Sequence, residues 1–232
     1  MFRFKISRYC VMNGIMPPFP NSDSCDSLYW KNRRLDTNHS PEQYIQYDSS
    51  TYMSLDEVIK VSSSNDSFIE IGCNAGRNLN YLYEKGFRNL AGIEINDTAV
   101  NVTLKKYFPD LYAFGKFYVG NAAEEIRKIP DNSFDTVFSI YVLIHINPEY
   151  KSLFKDMVRI SKKYIIVTTS LNGSPFPYDF VKIFTDLGCK EIYSRINYEN
   201  GSICKLPENL YNKKRHFYNE YFVKIFIKEN KE

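Results

Sequence analysis

The sequence predicts an α/β protein built on a doubly wound, mostly parallel sheet of seven strands. From residue 67 onward, short apolar runs alternate with helical segments over some 130 residues. Such alternation places parallel strands in one sheet with helices on both of its faces. A glycine-rich turn also follows the first apolar run, which is typical of ligand-binding sheets of this class.

Each strand is predicted as a short apolar run bounded by turn residues. The predicted strands are 67–71, 90–95, 116–119, 134–141, 164–169, 190–194 and 221–227. The helices predicted between them are 77–85, 98–107, 122–128, 150–160 and 180–187. Gly86 and Gly188 stop two of these helices, and Pro109 follows the end of a third.

Residues 1–55 differ from this pattern and predict a separate helical or irregular lid, with 56–232 as the α/β domain. Prolines, small polar residues and scattered aromatic residues dominate the segment. Ser40 and Pro41 have the order of an N-cap and a first helical residue, so a short helix is expected there. A second helix is expected to begin near Ser54 and to end in the polar stretch 62–64.

Composition excludes several classes of protein. With 232 residues, 44% hydrophobic and 25% charged, the chain is expected to be globular, and a net charge of +3 is too small for a DNA-coating protein. The longest apolar run, 137–146, is shorter than the roughly 18 residues of a membrane span. Arg3 and Lys5 fall inside what would have to be the apolar core of a signal peptide, so the N-terminus is a poor signal peptide. The five cysteines are dispersed and form no zinc-binding motif. We expect a cytoplasmic protein with reduced thiols and without membrane association.

The turn after the first strand reads EIGCNAGRN over residues 70–78. A dinucleotide fingerprint would require glycines at 72, 74 and 77, but Asn74 and Arg77 occupy two of those positions. The alternative pattern, an acid followed by three alternating glycines, fits Glu70, Gly72 and Gly76 and departs only at Asn74. Asparagine tolerates positive φ better than most residues, so this departure is mild. The helix that follows offers free N–H groups to a ligand.

A second acid, Glu94, ends the next predicted strand, 22 residues after Gly72. This placement suits a carboxylate that accepts hydrogen bonds from both hydroxyls of a ribose.

Four segments in this order make the sequence similar to the class I S-adenosylmethionine-dependent methyltransferases. They are EIGCNAG (70–76), GIEIN (92–96), VGNAAE (119–124) and FDTVFSIYVLIHI (134–146). The resemblance implies a Rossmann-like methyltransferase fold. It also implies S-adenosylmethionine as cofactor and S-adenosylhomocysteine as product, with the N-terminal lid covering the acceptor.

The resemblance further implies a set of cofactor-binding residues. The glycine-rich turn would lie along the methionine and ribose, and Glu94 would hold the ribose. Ile95 and Ala122 would flank the adenine, with Asn121 bonding its amino group. The full set is Glu70, Gly72, Cys73, Asn74, Gly76, Arg77, Asn78, Glu94, Ile95, Asn121, Ala122 and Tyr141.

Tyr141 ends the fourth predicted strand and His145 follows it, in the region that lies over the cofactor methyl in this family, so the resemblance makes these two the candidate catalytic residues. An imidazole with a pKa near neutrality can accept a proton from the acceptor, whereas a packed structural role for His145 is the alternative. The segment contains no acid of the kind that holds Mg²⁺ in metal-dependent O-methyltransferases, so no metal is expected. A basic turn at 213–216 is a weaker candidate for contact with a phosphorylated substrate.

Residues 143–149, LIHINPE, also resemble a bacterial subgroup associated with pseudaminic acid and other surface-glycan gene clusters. The favoured acceptor is therefore a small molecule: a sugar, a sugar precursor or a capsule component methylated on oxygen. The alternatives are an RNA or protein methyltransferase, a non-catalytic cofactor-binding regulatory module and an NAD-dependent dehydrogenase. A nucleic-acid partner is not expected, because 147–150 resembles the NPPY motif of nucleobase methyltransferases only superficially. The sequence does not indicate an oligomeric state.

Overall fold

The computed structural model of the chain describes residues 2–17, 27–34, 39–46, 49–170, 175–198, 203–204 and 220–229. Its strands are β1 (Ser67–Ile71), β2 (Asn89–Glu94), β3 (Lys116–Val119), β4 (Phe134–Ile140), β5 (Ser161–Ser170), β6 (Cys189–Tyr198), β7 (Ile203–Cys204) and β8 (Glu220–Lys228).

All eight strands form one sheet in the order β3-β2-β1-β4-β5-β8-β6-β7. The pairs among β1 to β5 are parallel, whereas β8 lies antiparallel between β5 and β6. The predicted α/β class with a doubly wound, mostly parallel sheet is therefore confirmed. The two-residue strand β7 pairs antiparallel with β6 and extends the seven predicted strands by one.

The helices are α1 (Phe2–Met12), α2 (Ser27–Lys31), α3 (Ser49–Ile59), α4 (Arg77–Glu84), α5 (Lys105–Tyr107), α6 (Pro109–Phe114), α7 (Ala122–Glu125), α8 (Ser152–Ile160) and α9 (Phe180–Asp186). A π-helical segment, Ala99–Leu104, leads into α5. Short 3-10 helices occupy Pro41–Tyr44, Ile126–Lys128, Leu143–His145 and Pro148–Tyr150.

Helices cover both faces of the sheet because its central strands are apolar on both sides. Along β4, Val137 faces one core and Phe138 the other, and both are fully buried. Helices α1, α7, α8 and α9 contribute to the first core. Helices α3, α4 and α6 contribute to the second. A layer of helices on each face of the sheet is the arrangement that defines a doubly wound fold.

The N-terminal region contains more helix than the sequence indicates. Residues 2–12 form α1, which buries Val11 in the first core, although its basic residues obscure an amphipathic pattern. Helix α3 begins at Ser49, five residues before the predicted start. The predicted short helix after Ser40 is present as a 3-10 turn, with Pro41 as its first residue.

The carboxyl ends of β1, β2, β3 and β4 meet at one edge of the sheet because these strands are parallel neighbours. The winding direction reverses between β1 and β4, since the strand order runs outward from β1 on one side and from β4 on the other. Open α/β sheets bind ligands in the crevice at such a switch point.

Candidate functional site

Four turns at this edge of the sheet enclose one side of a cavity of about 870 Å³. They follow β1, β2, β3 and β4. Residues from 27–34 and 39–46 also line the cavity, together with Met16. From here on we use the word lid for these two described parts of the N-terminal segment.

The turn after β1 depends on three residues with positive φ. Gly72 has φ 77°, Asn74 48° and Gly76 79°. A Cβ at Gly72 would collide with Val142, with 2.6 Å to Cγ1, so the turn after β4 packs directly on this glycine. The expectation that Asn74 tolerates a positive φ is confirmed.

Glu94 joins the turns after β1 and β2. Its carboxylate accepts hydrogen bonds of 2.8 Å from the backbone N–H of Asn74 and 2.8 Å from that of Asn96. Burial raises the pKa of this carboxyl, and the backbone N–H donors oppose that shift. The side chain is held in a single orientation at the cavity wall.

Glu70 lies at the inner end of the cavity and is 1% exposed. It accepts a 2.6 Å hydrogen bond from Asn78 Nδ2, and burial raises the pKa of its carboxyl to about 8. Three buried oxygens here, Glu70 Oε2, Asn74 Oδ1 and Asn78 Oδ1, have no protein partner. Buried acceptors without partners are costly, so a ligand with several N–H donors fits this end of the cavity.

The turn after β3 supplies Asn121 and Ala122, which line the cavity beside Ile95. Asn121 is the N-cap of α7, and its Oδ1 accepts a 2.9 Å hydrogen bond from the backbone N–H of Ala123. Gly120 N–H donates to the carbonyl of Glu94 at 2.8 Å, which fixes this turn against the end of β2.

The end of β4 is braced on both sides. Ser139 Oγ donates to the carbonyl of Ile71 at 2.9 Å, and Tyr141 N–H donates to the carbonyl of Thr168 at 2.8 Å. Tyr141 has φ 60°, a strained value for an aromatic residue and one that is common at functional sites. His145 closes the short 3-10 helix that follows and faces the cavity.

The lid contacts His145 through aromatic rings. Trp30 lies edge-on to His145 with ring centroids 5.0 Å apart, and edge-on to His39 at 5.9 Å. His39 Nδ1 lies 2.8 Å from Tyr44 Oη. Of the chain's three histidines, two therefore contact its single tryptophan inside one cavity.

Hydrogen bonds between described residues attach the lid to the rest of the domain. Asn96 Nδ2 donates to the carbonyl of Arg33 at 2.8 Å, and Arg77 Nη1 donates to the carbonyl of Gln46 at 3.0 Å. Thr103 Oγ1 donates to Glu42 at 3.1 Å. Asn96 and Arg77 belong to the turns that carry the predicted cofactor residues.

The structure brings almost all of the predicted site residues to this cavity. Only Gly76 does not line it, because it packs under Leu104 at the start of α4. The residues that do are Glu70, Gly72, Cys73, Asn74, Arg77, Asn78, Glu94, Ile95, Asn121, Ala122, Tyr141 and His145.

Sequence reasoning missed Arg33, His39 and Val142. The scarcity of histidine was the one signal that pointed to His39. Among the N-terminal aromatic residues expected to cover the acceptor, Tyr9 is exposed and Tyr52 is buried in the second core. The basic turn 213–216 lies outside the described residues.

Two further properties concern the described ranges alone. They contain no group of three or more histidine, cysteine, aspartate or glutamate residues arranged to hold a metal ion. No helix within them has both the length and the apolar character needed to cross a bilayer.

Residues 69–166 match the family model described as a methyltransferase domain. This segment, which runs from β1 into β5, is therefore similar to a methyltransferase domain. No curated protein matches the sequence significantly.

The solved structures that resemble the chain have the same fold at low sequence identity. One is a TehB-like S-adenosylmethionine-dependent methyltransferase from Corynebacterium glutamicum, 15% identical with TM-score 0.57, covering 76% of this chain and 87% of that one. Another is a magnesium protoporphyrin IX methyltransferase from Synechocystis with bound S-adenosylmethionine, 15% identical with TM-score 0.57, covering 90% and 93%. A third is an S-adenosylmethionine-dependent methyltransferase from Archaeoglobus fulgidus, 18% identical with TM-score 0.55, covering 81% and 97%.

Proposed function

We propose that this chain transfers a methyl group from S-adenosylmethionine to an oxygen of a small molecule. The single observation that carries the proposal is the composition of the cavity. One wall is formed by the glycine-rich turn, Glu94 and Asn121, and His145 faces the same space from the end of β4. The proposed cofactor site and a candidate proton acceptor thus line one cavity.

The residues present fit S-adenosylmethionine. Its ammonium group supplies the N–H donors that the buried oxygens of Glu70, Asn74 and Asn78 require. Glu94, fixed by two backbone N–H groups, is the proposed acceptor for the ribose hydroxyls. Asn121 is the proposed adenine contact. When bound, the cofactor supplies an electrophilic methyl group.

The protein then has two tasks in the reaction, to align the acceptor and to take its proton. We assign the proton to His145, because it faces the cavity and Trp30 holds its ring. Tyr141, the residue with strained φ that directly follows β4, is proposed to line the cavity beside the methyl group.

The acceptor is proposed to be a small molecule because the lid encloses the acceptor side. Aromatic residues of the lid, among them Trp30 and Tyr44, line that side, which is typical of small-molecule pockets. Within this class, the similarity of residues 143–149 to surface-glycan methyltransferases favours a sugar, a sugar precursor or a capsule component. We further propose that residues 1–55 act as the substrate-covering extension and that the enzyme is cytoplasmic.

Calorimetry tests the cofactor assignment. We expect S-adenosylhomocysteine to bind to the full chain and NAD to bind at least about a hundredfold more weakly. Tighter binding of NAD would replace the proposal with the dehydrogenase alternative.

A second experiment tests the acceptor class. Methyl-labelled S-adenosylmethionine is incubated with the protein and separate pools of metabolites, RNA and protein. We expect label in the metabolite pool. Label only in a macromolecular pool would indicate an RNA or protein methyltransferase, and cofactor binding without any transfer would indicate a regulatory module.

Substitution of His145 tests the proposed proton acceptor. His145→Ala is expected to lower turnover by about a hundredfold or more while S-adenosylhomocysteine affinity changes by less than about threefold. His145→Gln, which keeps a polar side chain against Trp30 but cannot act as a base at neutral pH, is expected to behave alike. Unchanged turnover in both variants would leave His145 with a packing role only.

A further inference from the structure

The lid places a group of hydrogen-bond donors and positive charge at the acceptor side of the cavity. We call this group the arginine cluster; it consists of Arg33, His39, Tyr44 and Arg77, all of which line the cavity. The first three belong to the lid, and Arg77 begins α4.

Contacts within the arginine cluster fix its members in place. The Arg33 guanidinium carbon lies 3.3 Å from the ring centroid of Tyr29. Tyr44 Oη and His39 Nδ1 are 2.8 Å apart. Arg77 is held through Nη1 on the carbonyl of Gln46. Because these groups are already ordered, a ligand that binds them avoids much of the entropic cost of arranging them.

Electrostatic coupling shows that both guanidinium groups lie near Tyr44. Burial raises the pKa of the Tyr44 hydroxyl, and the charges of Arg77 and Arg33 oppose that shift. Tyr44 therefore stays protonated at neutral pH and can donate a hydrogen bond.

The described residues supply no carboxylate ion pair for Arg77, and its buried Nε has no hydrogen-bond partner. Among the described residues, three carboxylates line the cavity. Glu70 and Glu94 accept hydrogen bonds from their own donors. Burial raises the pKa of Glu70, and the charge of Arg77 opposes that shift without forming an ion pair with it. Glu149 is exposed on the 3-10 helix after β4. A buried guanidinium donor without a partner in a cavity wall is a site for an anion.

The arginine cluster is continuous with the proposed reaction centre. His39 contacts Trp30, and Trp30 contacts His145, which we assign as the proton acceptor. A ligand that reaches from His145 along Trp30 meets the cluster next.

We propose that the arginine cluster binds a carboxylate or phosphate group of the methyl acceptor. The acceptor is thus a hydroxyl-bearing acid, anchored at its acidic end while its hydroxyl lies at His145. Guanidinium groups suit both anions because their donors match two oxygens at once. This inference rests on the proposed function of the cavity.

The experiment titrates inorganic phosphate into the full chain saturated with S-adenosylhomocysteine. We expect phosphate to bind, and Arg33→Met and Arg77→Met each to weaken it by about tenfold. Arg88→Met is the matched control, since Arg88 also lies over a tyrosine ring and bonds carbonyl oxygens, but does not line the cavity. It is expected to leave phosphate binding unchanged.

Tyr44→Phe is the variant least expected to disturb folding, because it removes only one hydroxyl. We expect it to weaken phosphate binding by about threefold with unchanged thermal stability of the cofactor-saturated protein. No phosphate binding by the wild-type complex, or equal binding by all variants, would overturn the inference.

A second titration identifies the source of the anion. The carboxylate of the cofactor is the other group that could reach the cluster. If the arginine variants weaken S-adenosylhomocysteine by about tenfold but not 5′-methylthioadenosine, which lacks that carboxylate, the assignment to the acceptor is wrong. If S-adenosylhomocysteine does not bind to the wild type at all, the proposed function fails instead.

Discussion

The absence of a side chain at Gly72 allows two turns of the site to pack against each other. Its φ of 77° and its contact with Val142 both exclude a Cβ, so the turns after β1 and β4 can touch there. This contact brings the glycine-rich turn and the segment that carries His145 together at one cavity.

Gly72→Ala is expected to cost about 3 kcal/mol of unfolding free energy and to abolish S-adenosylhomocysteine binding. Gly86→Ala is the matched control, because Gly86 has φ 97° and a Cβ added there would meet no atom within 4 Å. It is expected to cost about 1 kcal/mol and to bind normally. Denaturant unfolding and calorimetry measure both. Equal losses in the two variants would mean that backbone strain alone, without the collision, explains the effect.

Glu70 gives the stability of the protein a definite pH dependence. Its pKa is about 8 in the fold and near 4.5 when the carboxyl is exposed, so the folded state favours the protonated form. This contribution to stability is complete below pH 4.5 and is lost as the pH rises toward 8.

Glu70→Gln does not titrate and is expected to lack this loss. Between about pH 5 and 8 the wild type should lose unfolding free energy relative to Glu70→Gln, by a few kcal/mol at most. Urea unfolding across this range provides the measurement, with the exposed Glu124→Gln as control. Parallel pH curves for wild type and Glu70→Gln would show that the Glu70 carboxyl is not shifted.

At the scale of elements, isolated side-chain hydrogen bonds hold the lid in place, whereas continuous ladders of backbone hydrogen bonds hold the strands. Residues 39–46 contact the π-helical segment Ala99–Leu104 through Thr103 and Glu42. The 3-10 helix Pro41–Tyr44 has only four residues and little stability of its own. Contacts such as this hydrogen bond therefore hold residues 39–46 against the domain.

Thr103→Val removes this hydrogen bond from a fully buried site and preserves the shape of the side chain. We expect a loss of about 1 kcal/mol and faster hydrogen exchange in residues 39–46. Thr136 is also fully buried, but its hydroxyl has no partner in the protein, so Thr136→Val should be neutral or stabilising. The idea fails if the two variants exchange alike.

The strand bounds show which parts of the fold can be predicted from local sequence and which depend on pairing with another strand. Strands β1 and β3 have the predicted bounds, because each is a short apolar run between turn residues. β6 and β8 extend beyond their predictions because pairing with each other continues the ladder into polar sequence. The two-residue β7 has no apolar signal of its own and exists only through its partner.

The site divides in the same way. Glu94 could be predicted because it ends a strand, and the glycine-rich turn because it directly follows one, so local sequence determines the position of both. His39 and Arg33 could not, because their place in the cavity depends on contacts with Trp30, Tyr29 and Asn96 that no local pattern encodes.

At the scale of the whole molecule, the cavity is lined by the turns after four strands and by residues of both cores. S-adenosylhomocysteine at about a hundredfold excess over Kd is expected to stabilise the fold by about 2.7 kcal/mol. For a chain of this size the unfolding midpoint should rise by roughly 5–10 °C. Thermal unfolding measures the shift, and NAD serves as control. An equal shift with NAD would contradict a selective cofactor site.

The position of β8 affects the order in which the sheet can be completed during synthesis. β8 pairs with β5 on one side and β6 on the other, so residues 220–228 must leave the ribosome before β6 can join the sheet. The four parallel pairs among β1 to β5 need no later strand, and all five strands are already available by residue 170. The nascent chain can therefore assemble the four turns that line the cavity while the edge of β5 is still open. At that stage this edge is the part most exposed to wrong pairing and to chaperones.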